Sequence, residues 1–291
     1  MGPRPHVLCS PASAMRYRTF AGADVERTPH FGRRVALLLE RSDVDPALAA
    51  TILDALDRAA DFYADLTGRE PGRNRDADGR IPIAEVDGIG GAAWAWLGET
   101  GIEIQPRYLD VLLRGVRDEG VFDQPLFYEL GRNWWFWSRT LDVDPGSVCT
   151  GYAVAMRFRA MDAAGVRGAP FGGWPFERFR GAVASLLDRF LETPSLRWEA
   201  LLAGAPVAVH TFREEGLPAL TLSTADLIAS TLERLAAAHG GLAWWKRFLR
   251  AADRLEDARD ARGIAHNVAR AASEAAGRDV AGELRGWRWP R

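Results

Sequence analysis

The sequence predicts an α+β fold, a small mixed sheet followed by a mostly helical half, and three observations lead there. A long segment, 45–66, keeps apolar residues at helical spacing. Three short apolar or alternating runs punctuated by glycine, 80–87, 92–98 and 100–106, have strand character. Beyond about residue 141 the pattern is almost wholly that of helices with one apolar face.

Taken in order, residues 1–30 carry Pro and Arg without sustained periodicity and are expected to be a poorly ordered lead or an edge segment. Asp45 and Pro46 then start a helix that Gly68 and Pro71 stop. After the strand runs, "RYLDVLLRGVRD" has helical spacing, and Pro125 opens a further helix through "LFYELGRNWWFW". In the second half, Phe176, Phe179, Val183, Leu186, Leu187 and Phe190 define one face of a helix. "STADLIASTLERLAAAHGG" has a Ser-Thr start and a Gly-Gly stop, and the Ala-rich run over 257–276 ends at Gly277. No repeat or long linker divides the chain, so 31–291 is expected to form one unit, with 31–140 as its α+β half and 141–291 as its helical half.

Composition narrows the function classes. With 47% hydrophobic and 26% charged residues and a formal net charge of −2, the chain can bury a substantial core but has no sequence-wide field. Nucleic acid and membrane are therefore not expected partners. Lys246 is the only lysine, which reads as a coding bias rather than dozens of selected guanidinium sites. Cys9 and Cys149 make no disulfide framework and no zinc-finger spacing. The first twenty residues have no apolar h-region, and no stretch approaches the ~20 apolar residues of a membrane helix, so the expected location is cytoplasmic.

The central helix carries "YELGRNW", with Tyr128, Glu129, Arg132, Asn133 and Trp134. This resembles the active-site helix of a zincin metallopeptidase of the gluzincin type, in which two His at i and i+4 hold zinc and a Glu at i+1 polarises the bound water. Asn133 and Trp134 match residues found after the second His in that branch, and 267–290 is similar to its C-terminal helical segments. The resemblance covers 45–289 and is specific in the central helix. It implies a zincin-like fold in which "TGIEIQ" is the edge strand over the active-site helix, bordering the cleft at 101–105, with Tyr128, Glu129 and Arg132 facing it and an extended peptide adding along the edge.

The departures matter most. Tyr128 and Arg132 stand at the ligand positions, and a guanidinium has no lone pair to donate. No Glu occurs between Asn133 and Phe176, Gly151 falls where the third ligand belongs, and Ser138 stands where a metzincin needs His. Zinc is therefore not expected. Zinc lowers its water's pKa from ~15.7 to ~7, worth about 12 kcal/mol, whereas a general base alone supplies roughly 3–5 kcal/mol. Glu129 cannot replace the metal on those terms, and Glu129 with Arg132 is expected to make an i,i+3 ion pair.

Other candidates are weaker. Asn74, Asp76, Asp78 and Glu85, with Gly79 at the turn, match calcium-loop spacing, but Pro82 and "IPIAEV" read as strand where an exit helix belongs. "WWFW" (134–137) is expected on a central helix buried on most sides, and any exposed pair among the dispersed Trp174, Trp198, Trp244, Trp245, Trp287 and Trp289 could stack on a sugar ring. The five histidines make no ligand spacing. The expected function is a non-catalytic pseudo-peptidase whose cleft binds a peptide or glycan at Tyr128, Glu129 and Arg132. The alternatives are a metal-independent hydrolase using Glu129, and a scaffold in which those residues are a vestigial ion pair.

Overall fold

The computed structural model describes residues 14–142, 146–202 and 207–290. Cys9 and the first part of the 1–30 lead lie outside them. The described part of that lead forms a hairpin, β1 (Met15–Arg18) with β2 (Asp24–Phe31), at one edge of the sheet. Next comes β3 (Val35–Leu39), "VALLL", every residue of which is buried. The turn before it is docked by Asp57 of α1 (Pro46–Thr67). That carboxylate accepts the backbone N–H groups of Arg33, Arg34 and Val35 at 2.6, 2.8 and 3.0 Å. Helix α1 starts as its sequence dictates, with Asp45 accepting from Ala47 N at 3.0 Å, and ends at Gly68 with φ +67°.

Among the described residues the main sheet has six strands, completed by β4 (Ile81–Glu85), β5 (Ala93–Ala95) and β6 (Ile102–Ile104) in the order β1-β2-β3-β4-β6-β5. Strands β3, β4 and β6 run parallel, and β5 returns antiparallel to β6. The strand expected at the edge over 101–105 is thus an inner strand. Ile102, Glu103 and Ile104 are bonded on both sides and buried on both faces, whereas β5 is the edge, with Ala93 turned in and Trp94 out. Alternation sends Val35, Leu37, Leu39, Ile81 and Ile83 into the main core, and Ala36, Leu38 and Ala84 to a smaller cluster with Tyr17 on the opposite face.

After α2 (Pro106–Arg114) and a π-helical turn over Gly115–Glu119, a two-residue strand β7 (Val121–Phe122) leads to the central helix α3 (Pro125–Asn133). The helix stops at Asn133, so "WWFW" is not helical. Trp134, Trp135 and Trp137 are nevertheless buried, Trp134 stacking on Tyr63 and Trp135 and Trp137 meeting Tyr152 tilted and edge-on. The helix buried on nearly all sides is instead α4 (Ser147–Ala164), which packs on α1, α3 and α7. Its N-terminal Val148 and Cys149 N–H groups donate to the Asp142 carboxylate at 3.3 and 2.7 Å.

The chain continues through β8 (Arg167–Gly168), which pairs with β7, then α5 (Phe176–Leu191) and α6 (Trp198–Leu202). A hairpin of β9 (Ala208–Phe212) and β10 (Leu220–Ser223) interrupts the helical half. Helices α7 (Thr224–His239), α8 (Leu242–Ala252), α9 (Ala261–Ala276) and α10 (Ala281–Gly286) complete it. A capping box at Ser223 and Asp226 starts α7, as its Ser-Thr opening suggested. The protein is α+β with a small mixed sheet, and among the described residues no helix is long and apolar enough to cross a membrane.

Candidate functional site

Helix α3 is held from three sides. Pro125 occupies its first turn, where the missing N–H costs nothing. Tyr63 of α1 donates its hydroxyl to Phe127 O at 2.7 Å, and Gly131 admits that ring, since a Cβ there would sit 2.9 Å from the Tyr63 oxygen. At the far end Asn133 Nδ2 lies 3.0, 2.7 and 3.2 Å from the carbonyls of Trp96, Glu99 and Gly101, tying the helix to the loop between β5 and β6. The small side chains of Ala93 and Ala95 let α3 pack directly on the edge strand.

Between β5 and α3 lies a cavity of about 190 Å³. Ala92 and Ala93 form one wall, and Gln124, Pro125, Tyr128 and Glu129 form another. Arg157 of α4 and the exposed ring of Phe171 close the rest. Two of the three residues singled out in the sequence therefore share this space, while Arg132 does not line it. The Arg132 guanidinium turns back over the Tyr128 ring, 5.9 Å from its centroid, with 31% of its side chain exposed.

The expected Glu129–Arg132 ion pair is weak in this geometry. Nε and Oε2 stand 3.8 Å apart, beyond hydrogen-bonding distance, and neither atom has a hydrogen-bond partner among the described residues. Glu129 is 4% exposed, and burial, only partly offset by Arg132, pushes its carboxyl up to about 8. At pH 7 it is mostly neutral, so the pair is a neutral acid beside a cation. Burial likewise pushes the Tyr128 phenol up to about 12 and raises the Cys149 thiol, which leaves Cys149 a packed apolar group rather than a nucleophile.

Two residues of the cavity had no part in the sequence reading. Gln124, at the start of α3, is 1% exposed, and neither its amide oxygen nor its amide nitrogen has a hydrogen-bond partner among the described residues. Arg157 is 8% exposed and makes no hydrogen bond or ion pair among the described residues, and its Nε is buried without an acceptor. Its guanidinium sits 4.9, 5.7 and 5.0 Å from the ring centroids of Phe158, Phe171 and Phe179. The available signal was a pair of arginines, Arg157 and Arg159, within the otherwise apolar run "GYAVAMRFRAM".

The position expected for a third metal ligand, Gly151, is a helix contact. A Cβ there would meet Ile228 Cγ2 of α7 at 2.5 Å, leaving no space for a coordinating side chain. The calcium-loop residues are dispersed and engaged. Asn74 Oδ1 accepts from Arg75, Asp76 from Arg73 and Gly79 N, and Asp78 from Arg80. Glu85 accepts from Arg41 at 2.6 Å and Glu40 N at 2.9 Å at the far end of β4, about 16 Å of extended strand beyond Arg80. Among the described residues no three His, Cys, Asp or Glu side chains are grouped to hold a metal ion.

The tryptophans also separate. Trp174, Trp198, Trp244, Trp245 and Trp289 are buried, and Trp287 is partly so. Trp94 and Trp96, on and just after the edge strand, are 56% and 41% exposed.

No protein-family model matches the chain, and no curated protein matches it. Among solved structures it is similar to a functionally unknown conserved protein from Bacillus anthracis str. Ames, at 10% identity and a TM-score of 0.57, and to a mutant of such a protein, at 11% and 0.54. Each alignment covers 91% of this chain and 49% of the other, so the chain spans about half the length of those structures. The likeness is one of fold.

Proposed function

We propose that the protein is a zincin-type fold without peptidase chemistry, whose cleft between β5 and α3 binds a peptide. The observation that carries this reading is the placement of Glu129, the residue at the family's base position, on the wall of a cavity whose other wall is an antiparallel edge strand. The sheet order supports it as well, with parallel β3, β4 and β6 followed by β5 beside the central helix. The free side of β5 offers backbone groups to an added strand. Exposed Trp94 and Trp96 flank it and would equally serve a glycan, which is the second ligand class of this reading.

Catalysis is absent in this reading because the donor set is wrong for zinc. The metal-independent hydrolase remains the competing reading on one observation, a Glu129 carboxyl held at about 8. Arrayed peptide and oligosaccharide libraries probed with the purified chain test the proposal. Binding that is weakened by Trp94→Ala or Tyr128→Ala is expected, and the absence of any retained library member refutes it.

A further inference from the structure

Arg157 is the least compensated charge around the cavity. A guanidinium stays protonated near neutral pH, and an unpaired buried charge is costly unless something answers it. Two residues farther along α4, Arg159 shows the usual solution. It grips Glu233 of α7 through two bonds of 2.8 and 2.5 Å at a separate cavity of about 100 Å³, where the polar groups satisfy one another. Arg157 has three phenylalanine rings instead. The acids in its surroundings are engaged elsewhere. Asp226 accepts from Ser223 N and Oγ, and Asp123 accepts from Gln124 N.

Beside this cation, the cavity holds a Gln124 amide whose two polar atoms, and a Glu129 whose Oε2, have no hydrogen-bond partner among the described residues. Three buried polar side chains are thus turned to one space without ligands of their own, in a fold that satisfies most others. The remaining lining, with Ala93, Pro125, Tyr128 and Phe171, is largely apolar. A space of about 190 Å³ exceeds the roughly 150 Å³ that accepts a benzene-sized ring.

We propose that this cavity is a receptor for a carboxylate on an aromatic or apolar body, with the Arg157 guanidinium as its anion anchor and the Gln124 amide and Glu129 as hydrogen-bonding neighbours. The planar fork of donors on arginine matches a carboxylate in two parallel bonds. A small free acid and the terminal carboxylate of a peptide present the same group. The inference deepens the binding reading above and rests on it.

The test uses the full chain and matched probes. Titration calorimetry at pH 7 compares benzoate with benzamide, and N-acetyl-phenylalanine with its C-terminal amide. Each acid is expected to bind at least tenfold more tightly than its amide, and Arg157→Met and Arg157→Lys are expected to reduce or abolish that preference. A rise in affinity from benzoate to N-acetyl-phenylalanine to N-acetyl-Ala-Ala-Phe points to a peptide terminus, and a fall points to a small acid. Equal binding of acid and amide by the wild type overturns the anion anchor while leaving the peptide cleft standing. No binding of any probe at millimolar concentration also overturns the anchor, and the library assay then judges the cleft by itself. Since the acid–amide comparison is made on the wild type, it decides even where an Arg157 variant does not fold.

Discussion

Replacing Glu129 by Gln tests the electrostatics of the site through stability. In the folded protein burial holds this carboxyl at about 8, against an ordinary value of 4.5. The folded state therefore binds more protons than the unfolded state between those values, and stability is lost as pH rises through the window. Below pH 4.5 both states are protonated and the group contributes no difference. Above pH 8 the full penalty, about 5 kcal/mol, is present, and about 3–4 kcal/mol of it accumulates between pH 5 and pH 8. Gln cannot ionise and escapes the penalty, at the cost of a pH-independent offset for its own unpaired amide. Glu103 and Asp123, also held up by burial, are present in both proteins and cancel in the difference. Urea melts of wild type and Glu129→Gln from pH 5 to pH 9 measure it. The stability of Glu129→Gln relative to wild type is expected to climb by about 3–4 kcal/mol toward pH 8 and then level off. A difference that stays flat, or that shifts toward wild type as pH rises as a working Glu129–Arg132 ion pair would require, refutes the reasoning.

Three further outcomes are expected. Protein purified without chelator should carry no stoichiometric zinc by elemental analysis, because Arg132 cannot coordinate and Gly151 has no room for a ligand; one zinc per chain contradicts this. Calcium should leave the melting temperature unchanged, since Asp76, Asp78 and Glu85 are engaged by arginines and amides; a large calcium-dependent shift that Asp76→Ala removes counts against it. Gly151→Ala should destabilise by about 1–3 kcal/mol despite alanine's better helix propensity, because its Cβ meets Ile228 at 2.5 Å. Denaturant melts showing it equal to or more stable than wild type contradict the helix contact.

Elements with one apolar face were legible in the sequence because their spacing records which side faces the core. Helices α1, α5 and α7 are of this kind, and their caps at Asp45 and Ser223 are local signals. Helix α4 is buried on almost every side, so its sequence has no one-sided period to read. The runs that became β5 and β6 both had strand character, but which of them lies at the edge depends on pairing with β4, a choice made in tertiary structure. "WWFW" reads as helix by continuity with α3, yet the chain turns at Trp134 and the rings are buried through contacts with Tyr63 and Tyr152.

The site divides along the same line. Tyr128 and Glu129 were visible because they are neighbours on one helix. Gln124 was unremarkable before Pro125, and Arg157 lies twenty-eight residues beyond Glu129. Only the packing of α4 on α3 brings that charge to the same cavity. A reading of the motif alone makes Arg132 the partner of Glu129, and the two do stand 3.8 Å apart, but the fold places Arg132 outside the lining and Arg157 within it.

The central claim is that the cleft binds without chemistry, and turnover tests it most directly. Wild type and Glu129→Gln are incubated with the peptides and glycans that the arrays retain, and products are followed by mass spectrometry alongside binding. Binding by the wild type with no product from either protein is the expected result. Turnover by the wild type that disappears in Glu129→Gln, with the fold intact, contradicts the claim and assigns Glu129 to a metal-independent hydrolase.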